Sequence, residues 1–366
     1  MKSSDILFQP LRMGEIELPN RIVMASMSRA RTENPGLIPI PLQAEYYSQR
    51  ASAGLILTEG TWPSAEAIGA IHVPGLFNEQ QVEGWKRITD AVHTAGGRIF
   101  VQIGHCGAVS HPDLHGGELP LAPSAVSVEY PVFTPGGFKT SPVPRAMTLG
   151  DIARTIGDYA HATRLAQKAG FDGIELHGSV GYLIPAFLHD EFNLREDRYG
   201  GSVENRARFV LETLEAMISE WRPGRIGLKL SPGVGLGKLQ PTAQTLPTYQ
   251  YLISQVSKLN IAYLQLQHPA GNLSGTPVAA LSSGTSAYFR QFYDGLLIAN
   301  GGLTEASARA ILHAGDADLV SFGAPYIANP DLVERFREGF ALATADQATY
   351  YQGGARGYTD YPRATS

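Results

Sequence analysis

The sequence predicts a (β/α)₈ barrel, on three observations. Eight short, nearly continuous apolar runs recur along the chain, amphipathic helical stretches lie between them, and polar residues or glycines gather at the ends of the runs. The runs are Arg21–Ala25, Gly54–Thr58, Arg98–Ile103, Gly173–Leu176, Ile226–Leu230, Ala262–Leu266, Leu296–Ala299 and Asp318–Phe322. They do not alternate apolar with polar, which is the pattern of strands buried on both faces.

The intervening helices carry their own signals. Val82, Trp85, Ile88 and Val92 form one apolar stripe that Gly96 can end. Thr148 with Asp151 makes a capping box, and Ile152, Ile156 and Tyr159 continue that helix's inner face towards Gly170. Thr304 is expected to cap a helix ending near Gly315, and Asn329 a helix with Pro330 at its first position. Strand and helix alternating eight times favour a closed parallel barrel over an open doubly wound sheet.

Two segments break this rhythm. Residues 1–20 read as an N-terminal hairpin turning near Met13–Gly14 and closing the barrel's bottom. Residues 104–147, after the third strand, are rich in Pro and Gly without helical period; they read as a long cover loop over the active end. No repeat, low-complexity tract or linker interrupts the chain, so residues 1–366 are expected to form one domain.

Composition narrows the function. With 43% hydrophobic and 17% charged residues the chain resembles an ordinary globular protein. A net charge of −5 supplies no basic footprint for nucleic acid and no polybasic membrane anchor. Cys106 is the lone cysteine, which excludes an intrachain disulfide and a cysteine metal cluster. His111, Asp113 and His115 have only loose metal-like spacing and read as a surface loop. Met1–Pro10 has no signal-like apolar run, and no uncharged apolar stretch reaches the ~20 residues of a membrane span. These features point to a cytoplasmic protein with neither nucleic acid nor membrane as partner; a small-molecule substrate and a monomeric or homodimeric state are expected.

Chemistry in such barrels collects at the C-terminal ends of the strands. Ser26, Ser28, Gly60, Gln102, His105, His177, Tyr182, Lys229, Asn300, Gly301, Gly302 and Gly323 stand there. Alone, a histidine or tyrosine at a strand end is more often structural than catalytic, and glycines often serve only tight turns.

Longer strings carry a family resemblance. They are Phe8-Gln9-Pro10-Leu11 and Leu18-Pro19-Asn20-Arg21; Glu45-Tyr46-Tyr47 with Arg50-Ala51-Ser52-Ala53-Gly54; Tyr199-Gly200-Gly201-Ser202 with Glu204-Asn205-Arg206-Ala207-Arg208-Phe209; and Gly357-Tyr358-Thr359-Asp360-Tyr361-Pro362. In order and spacing, over nearly the whole length, the chain resembles the old yellow enzyme family. The resemblance implies FMN at the barrel mouth, NADPH or NADH as hydride donor, and reduction of the alkene of an α,β-unsaturated carbonyl compound.

By the same resemblance, Gln102, Gly60, Ser26 and Ser28 face the flavin ring, Lys229 stands at its N1 and O2 side, and Tyr350 lies near its benzene edge. Asn300, Gly301, Gly302, Gly323 and Ala324 surround its phosphate. Tyr182 would deliver the proton, His177 would donate to the substrate carbonyl, and Tyr351 would line the substrate space.

Four positions depart from the pattern. Val180 replaces the second carbonyl donor, Gly104 replaces a bulky tryptophan, Lys229 replaces an arginine, and Ala324 replaces the arginine that grips the phosphate. Gly104 and Val180 suggest a large, weakly polar substrate. Two other readings keep the barrel: a flavin-dependent isomerase or dehydrogenase, or a protein that has lost FMN and performs cyclisation, elimination or ligand binding.

Overall fold

The computed structural model describes residues 5–364. A hairpin of β1 (Leu11–Met13) and β2 (Ile16–Leu18), turning through Gly14 at φ +58°, precedes the barrel. Next come β3 (Ile22–Met24), α1 (Pro41–Ser48), β4 (Leu55–Thr61), α2 (Glu79–Thr94) and β5 (Ile99–Ile103). The segment after β5 holds short strands β6 (Leu121–Ala122), β7 (Pro131–Thr134), β8 (Gly137–Thr140) and β9 (Arg145–Ala146). Then follow α3 (Leu149–Lys168), β10 (Gly173–Gly178), α4 (Leu183–Leu188), α5 (Val203–Glu220), β11 (Ile226–Leu230), α6 (Thr245–Ser257) and β12 (Tyr263–Gln267). The remainder is α7 (Thr285–Phe289), β13 (Leu297–Asn300), α8 (Glu305–Ala314), β14 (Leu319–Phe322), α9 (Ala324–Ala328) and α10 (Leu332–Glu338).

Eight parallel strands close in the order β3, β4, β5, β10, β11, β12, β13, β14 and back to β3. Each corresponds to one of the eight apolar runs. Between barrel and helices, Ile56, Val101, Leu176 and Leu228 pack against Trp85, Ile152, Tyr159 and Phe209, all essentially inaccessible to water. Inside the barrel, Val23, Leu55, Leu57, Phe100, Tyr263, Ile298 and Leu319 form a separate cluster with Met13, Ile16 and Leu18 of the hairpin. The hairpin therefore plugs the bottom, as its position in the sequence suggests.

Helix ends follow local chemistry. Thr148 and Asp151 cap α3 reciprocally, and Gly315 ends α8 in the left-handed conformation at φ +74°. Asn329 does not cap the start of the next helix; it is the residue that ends α9. Its amide donates to the Pro325 carbonyl at 2.7 Å and its oxygen accepts from Ala343 N–H at 2.8 Å; α10 begins two residues after Pro330.

Two local features set up the mouth. The register of β4 against β5 slips between Leu57 and Gly60, a bulge that brings Gly60 opposite Gln102. The 104–147 segment is more ordered than its composition suggests, with β7 and β8 paired antiparallel and β6 beside β9. From it Ala108, Val109, Ala122 and Val128 form an apolar cluster with Phe192 and Leu239, against which Tyr182 also packs. This seats the segment beside the mouth.

Candidate active site

The C-terminal ends of the strands surround a cavity of about 400 Å³. Fourteen of the residues expected from the sequence line it: Ser26, Ser28, Gly60, Gln102, Gly104, His177, Val180, Tyr182, Lys229, Asn300, Gly301, Gly302, Gly323 and Ala324. Residues separated by up to three hundred positions thus share one wall. Tyr350 and Tyr351 are not part of that wall. The Tyr350 carbonyl accepts from Arg29 Nε at 3.0 Å and from Arg31 at 2.9 Å, which ties its segment to the end of β3; Tyr351 is 61% exposed.

At the floor, polar side chains interlock. Ser26 Oγ donates to Gln102 Oε1 at 2.7 Å, and Gln102 Nε2 donates to Glu175 Oε1 at 2.7 Å. The second carboxylate oxygen accepts from Gln265 Nε2 at 2.8 Å. Above Glu175 on β10 comes His177, in register with Lys229 of β11. Lys229 is buried; burial lowers its pKa from the usual lysine value while the Glu175 charge raises it. Burial likewise raises Glu175, and Lys229 opposes that shift.

His177 and Tyr182 meet edge to face, their ring centroids 5.2 Å apart and their planes at 81°. Burial, with the positive Lys229 beside it, pushes the His177 imidazole down to about 3, so it is neutral at ordinary pH. The Ser179 hydroxyl lies 3.2 Å from its Nδ1. A hydroxyl donating there leaves the ring proton on Nε2, free to donate to a substrate oxygen. The Tyr182 phenol is held well above its ordinary value by the nearby Cys106 thiol and by burial. It therefore stays protonated, as an acid must before it acts.

Gly104 does something the sequence did not suggest. A Cβ placed there would lie 3.0 Å from both Cβ and Cδ2 of His177. Besides leaving out a bulky side chain, the glycine lets the imidazole seat against the backbone. Val180 adopts φ +63°, a left-handed conformation unfavourable for a β-branched residue, and presents no donor.

Trp62, Gln267, Leu303, Ser321 and Pro325 also line the cavity, and sequence reasoning missed them. Gln267 and Ser321 carried a signal, since each shares the mouth-facing register of Asn300 on the strand between them. The Asn300 amide donates to Ser321 Oγ at 3.0 Å. Trp62 carried none, because the β4 bulge decides where residues beyond it point.

A family profile described as NADH:flavin oxidoreductase / NADH oxidase matches residues 6–343. Flavin oxidoreductase hxnT of Emericella nidulans is 38% identical, covering 98% of this chain and 97% of its own. The 12-oxophytodienoate reductase 7 of Oryza sativa subsp. japonica is 36% identical, covering 97% and 94%. Among solved structures, morphinone reductase in complex with tetrahydroNAD superposes with a TM-score of 0.91 at 40% identity, covering 98% of each chain. The old yellow enzyme homologue from Zymomonas mobilis gives 0.92 at 38% identity, covering 98% and 99%.

The cavity's chemistry fits FMN. A Cβ on Gly60 would come 3.7 Å from Gln102 Oε1 and 3.9 Å from Ser28 Oγ, so the bare glycine opens the space between the two polar groups. Lys229 adds a buried cation that makes no hydrogen bond among the described residues, and a flavin's electron-rich edge suits it. Gly301 and Gly302, at φ +107° and +65°, leave bare backbone on the cavity wall, of a kind that can take an anion such as a phosphate. Among the described residues lining the cavity, Lys229 is the sole cation.

Proposed function

The chain belongs to the NADH:flavin oxidoreductase / NADH oxidase family, that of old yellow enzyme, and from that premise we propose that it reduces the alkene of a bulky, weakly polar α,β-unsaturated carbonyl compound. As a family member it is an FMN-dependent oxidoreductase acting on C=C bonds with a nicotinamide hydride donor. The observation that carries the finer reading is the pairing of Gly104 and Val180 on the wall that holds His177 and Tyr182. One contributes no side chain and the other no polar group.

When bound, FMN supplies the hydride that adds to the alkene. The chain's own residues do the rest. His177 donates its ring N–H to the carbonyl oxygen and stabilises the charge that develops there. Tyr182 holds the proton destined for the other alkene carbon. Ser26, Ser28, Gly60, Gln102 and Lys229 hold the flavin ring, and Asn300, Gly301, Gly302, Gly323 and Ala324 flank its phosphate.

We read residues 1–366 as one domain, acting in the cytoplasm as a monomer or homodimer. No helix among the described residues is long and apolar enough to cross a membrane. The test compares kcat/KM for 2-cyclohexenone and for a fused-ring enone, with NAD(P)H consumption measured against saturated product. The proposal expects equal amounts of cofactor consumed and product formed, with the larger substrate preferred. A preference for the small ring rejects the bulky-substrate reading.

A further inference from the structure

Glu175 lies one layer below the mouth, completely buried, with no part in the chemistry described so far. A buried carboxylate is costly unless paired and fully hydrogen-bonded. Here each oxygen has its own amide donor, Gln102 at 2.7 Å on the adjacent β5 and Gln265 at 2.8 Å on β12, beyond β11. Only one arrangement of the Gln102 amide satisfies both neighbours. Its nitrogen must point to Glu175, because a carboxylate only accepts, and its oxygen then takes the Ser26 hydroxyl proton at 2.7 Å. One N–H remains for the mouth.

We propose that Glu175 is a positioning residue for the flavin's polar edge: it locks the Gln102 amide in one orientation and provides the counter-charge that keeps Lys229 cationic. This rests on the reading of the mouth as the FMN site. The groups facing Lys229 from the neighbouring strands are Glu175 and His177 on β10 and Tyr263 and Gln265 on β12. His177 is neutral and Gln265 uncharged, and burial keeps the Tyr263 phenol protonated, so Glu175 is the one anion among them. Burial lowers the lysine's pKa and Glu175 raises it, so removing the carboxylate moves its loss of charge to lower pH.

In Glu175→Gln only one acceptor oxygen remains for two amide donors, and Gln102 no longer has a unique orientation. The experiment titrates FMN-free protein with FMN by fluorescence quenching from pH 6 to pH 10. The native chain should bind FMN with affinity that declines only at alkaline pH. Glu175→Gln should bind at least tenfold more weakly at pH 7, with the decline moved down by a pH unit or more. Lys229→Met should show no such decline. Glu175→Asp, which keeps the charge but withdraws it by one methylene, should fall between native and Glu175→Gln, and it carries the test should the latter not fold. A purely structural glutamate would change thermal stability and leave the pH profile in place. Native-like affinity and profile in the Glu175 variants overturn the inference alone. Failure of the native chain to bind FMN overturns the cofactor reading and the inference with it.

Discussion

The Val180 N–H donates to the Ser231 hydroxyl at 3.0 Å, which fastens the turn after β10 to the end of β11 while Val180 sits at φ +63°. A left-handed conformation costs an L-residue roughly 1–2 kcal/mol, and asparagine tolerates it better than valine. Val180→Asn should therefore stabilise the protein by about 1 kcal/mol in a urea titration. It also restores a side-chain donor beside His177, and kcat/KM for 2-cyclohexenone should rise by up to ~10²–10³. Val180→Gly separates the two effects: it relieves the strain without adding a donor, so small-enone turnover should not improve. A less stable Val180→Asn protein would show that the strain is already compensated.

Tyr182→Phe removes the proton while keeping the ring that packs on His177. Reduction of the bound flavin by NAD(P)H should be nearly unchanged, and alkene turnover should slow by ~10²–10⁴. Stopped-flow measurement of the two half-reactions separates them, and unaltered alkene turnover removes Tyr182 from the proton-donor role.

Much of this site was legible in the sequence because strand ends in a parallel barrel converge wherever the strands are recognised, and because the family resemblance pointed to Gly104, Val180 and Ala324 beside them. The eight runs were recognised, and fourteen of the sixteen assigned residues share one cavity wall. What stayed hidden depends on packing between distant segments. Val180 combines a left-handed φ with a hydrogen bond to the Ser231 hydroxyl on a distant segment, and the contact between Gly104 and His177 joins two strands. Tyr350 and Tyr351 ride on a segment whose carbonyls are gripped by Arg29 and Arg31, and no local pattern announces that grip. Glu175 lay in plain view two residues before His177, yet only the barrel interior reveals its two amide partners.

Gly104→Trp should lower turnover of every enone, large or small. The new Cβ alone would meet His177 at 3.0 Å, so the substitution displaces the carbonyl donor as well as filling space. Gly104→Ala is the milder check, expected to lower kcat/KM about tenfold or more through a displaced donor. Selective loss of bulky substrates alone would show that His177 does not move.

Acid should destabilise the folded chain in a defined window. His177 and His105 have folded pKa values near 3, well below the unfolded value near 6.5, because burial disfavours their charged forms. The unfolded state therefore binds more protons between these limits. The stability they contribute is complete above about pH 6.5 and is lost as pH falls towards 3, by up to about 1.4 kcal/mol per pH unit for each. Urea unfolding at pH 7, 6 and 5 measures the slope. His177→Asn should make it shallower, and an unchanged slope would mean that the imidazole is protonated in the fold.

FMN is expected to occupy this mouth although, by the family resemblance, Ala324 stands where an arginine would grip the phosphate. Losing charge-assisted hydrogen bonds of ~1.5–3 kcal/mol each should leave FMN binding about tenfold to several-hundredfold weaker than a clamped site. The deciding measurement is a fluorescence-quenching titration of FMN-free native protein and of Ala324→Arg with FMN. The account predicts saturable, dialysable binding by the native chain and tighter binding, by at least tenfold, in Ala324→Arg. Absence of binding in both proteins would contradict it.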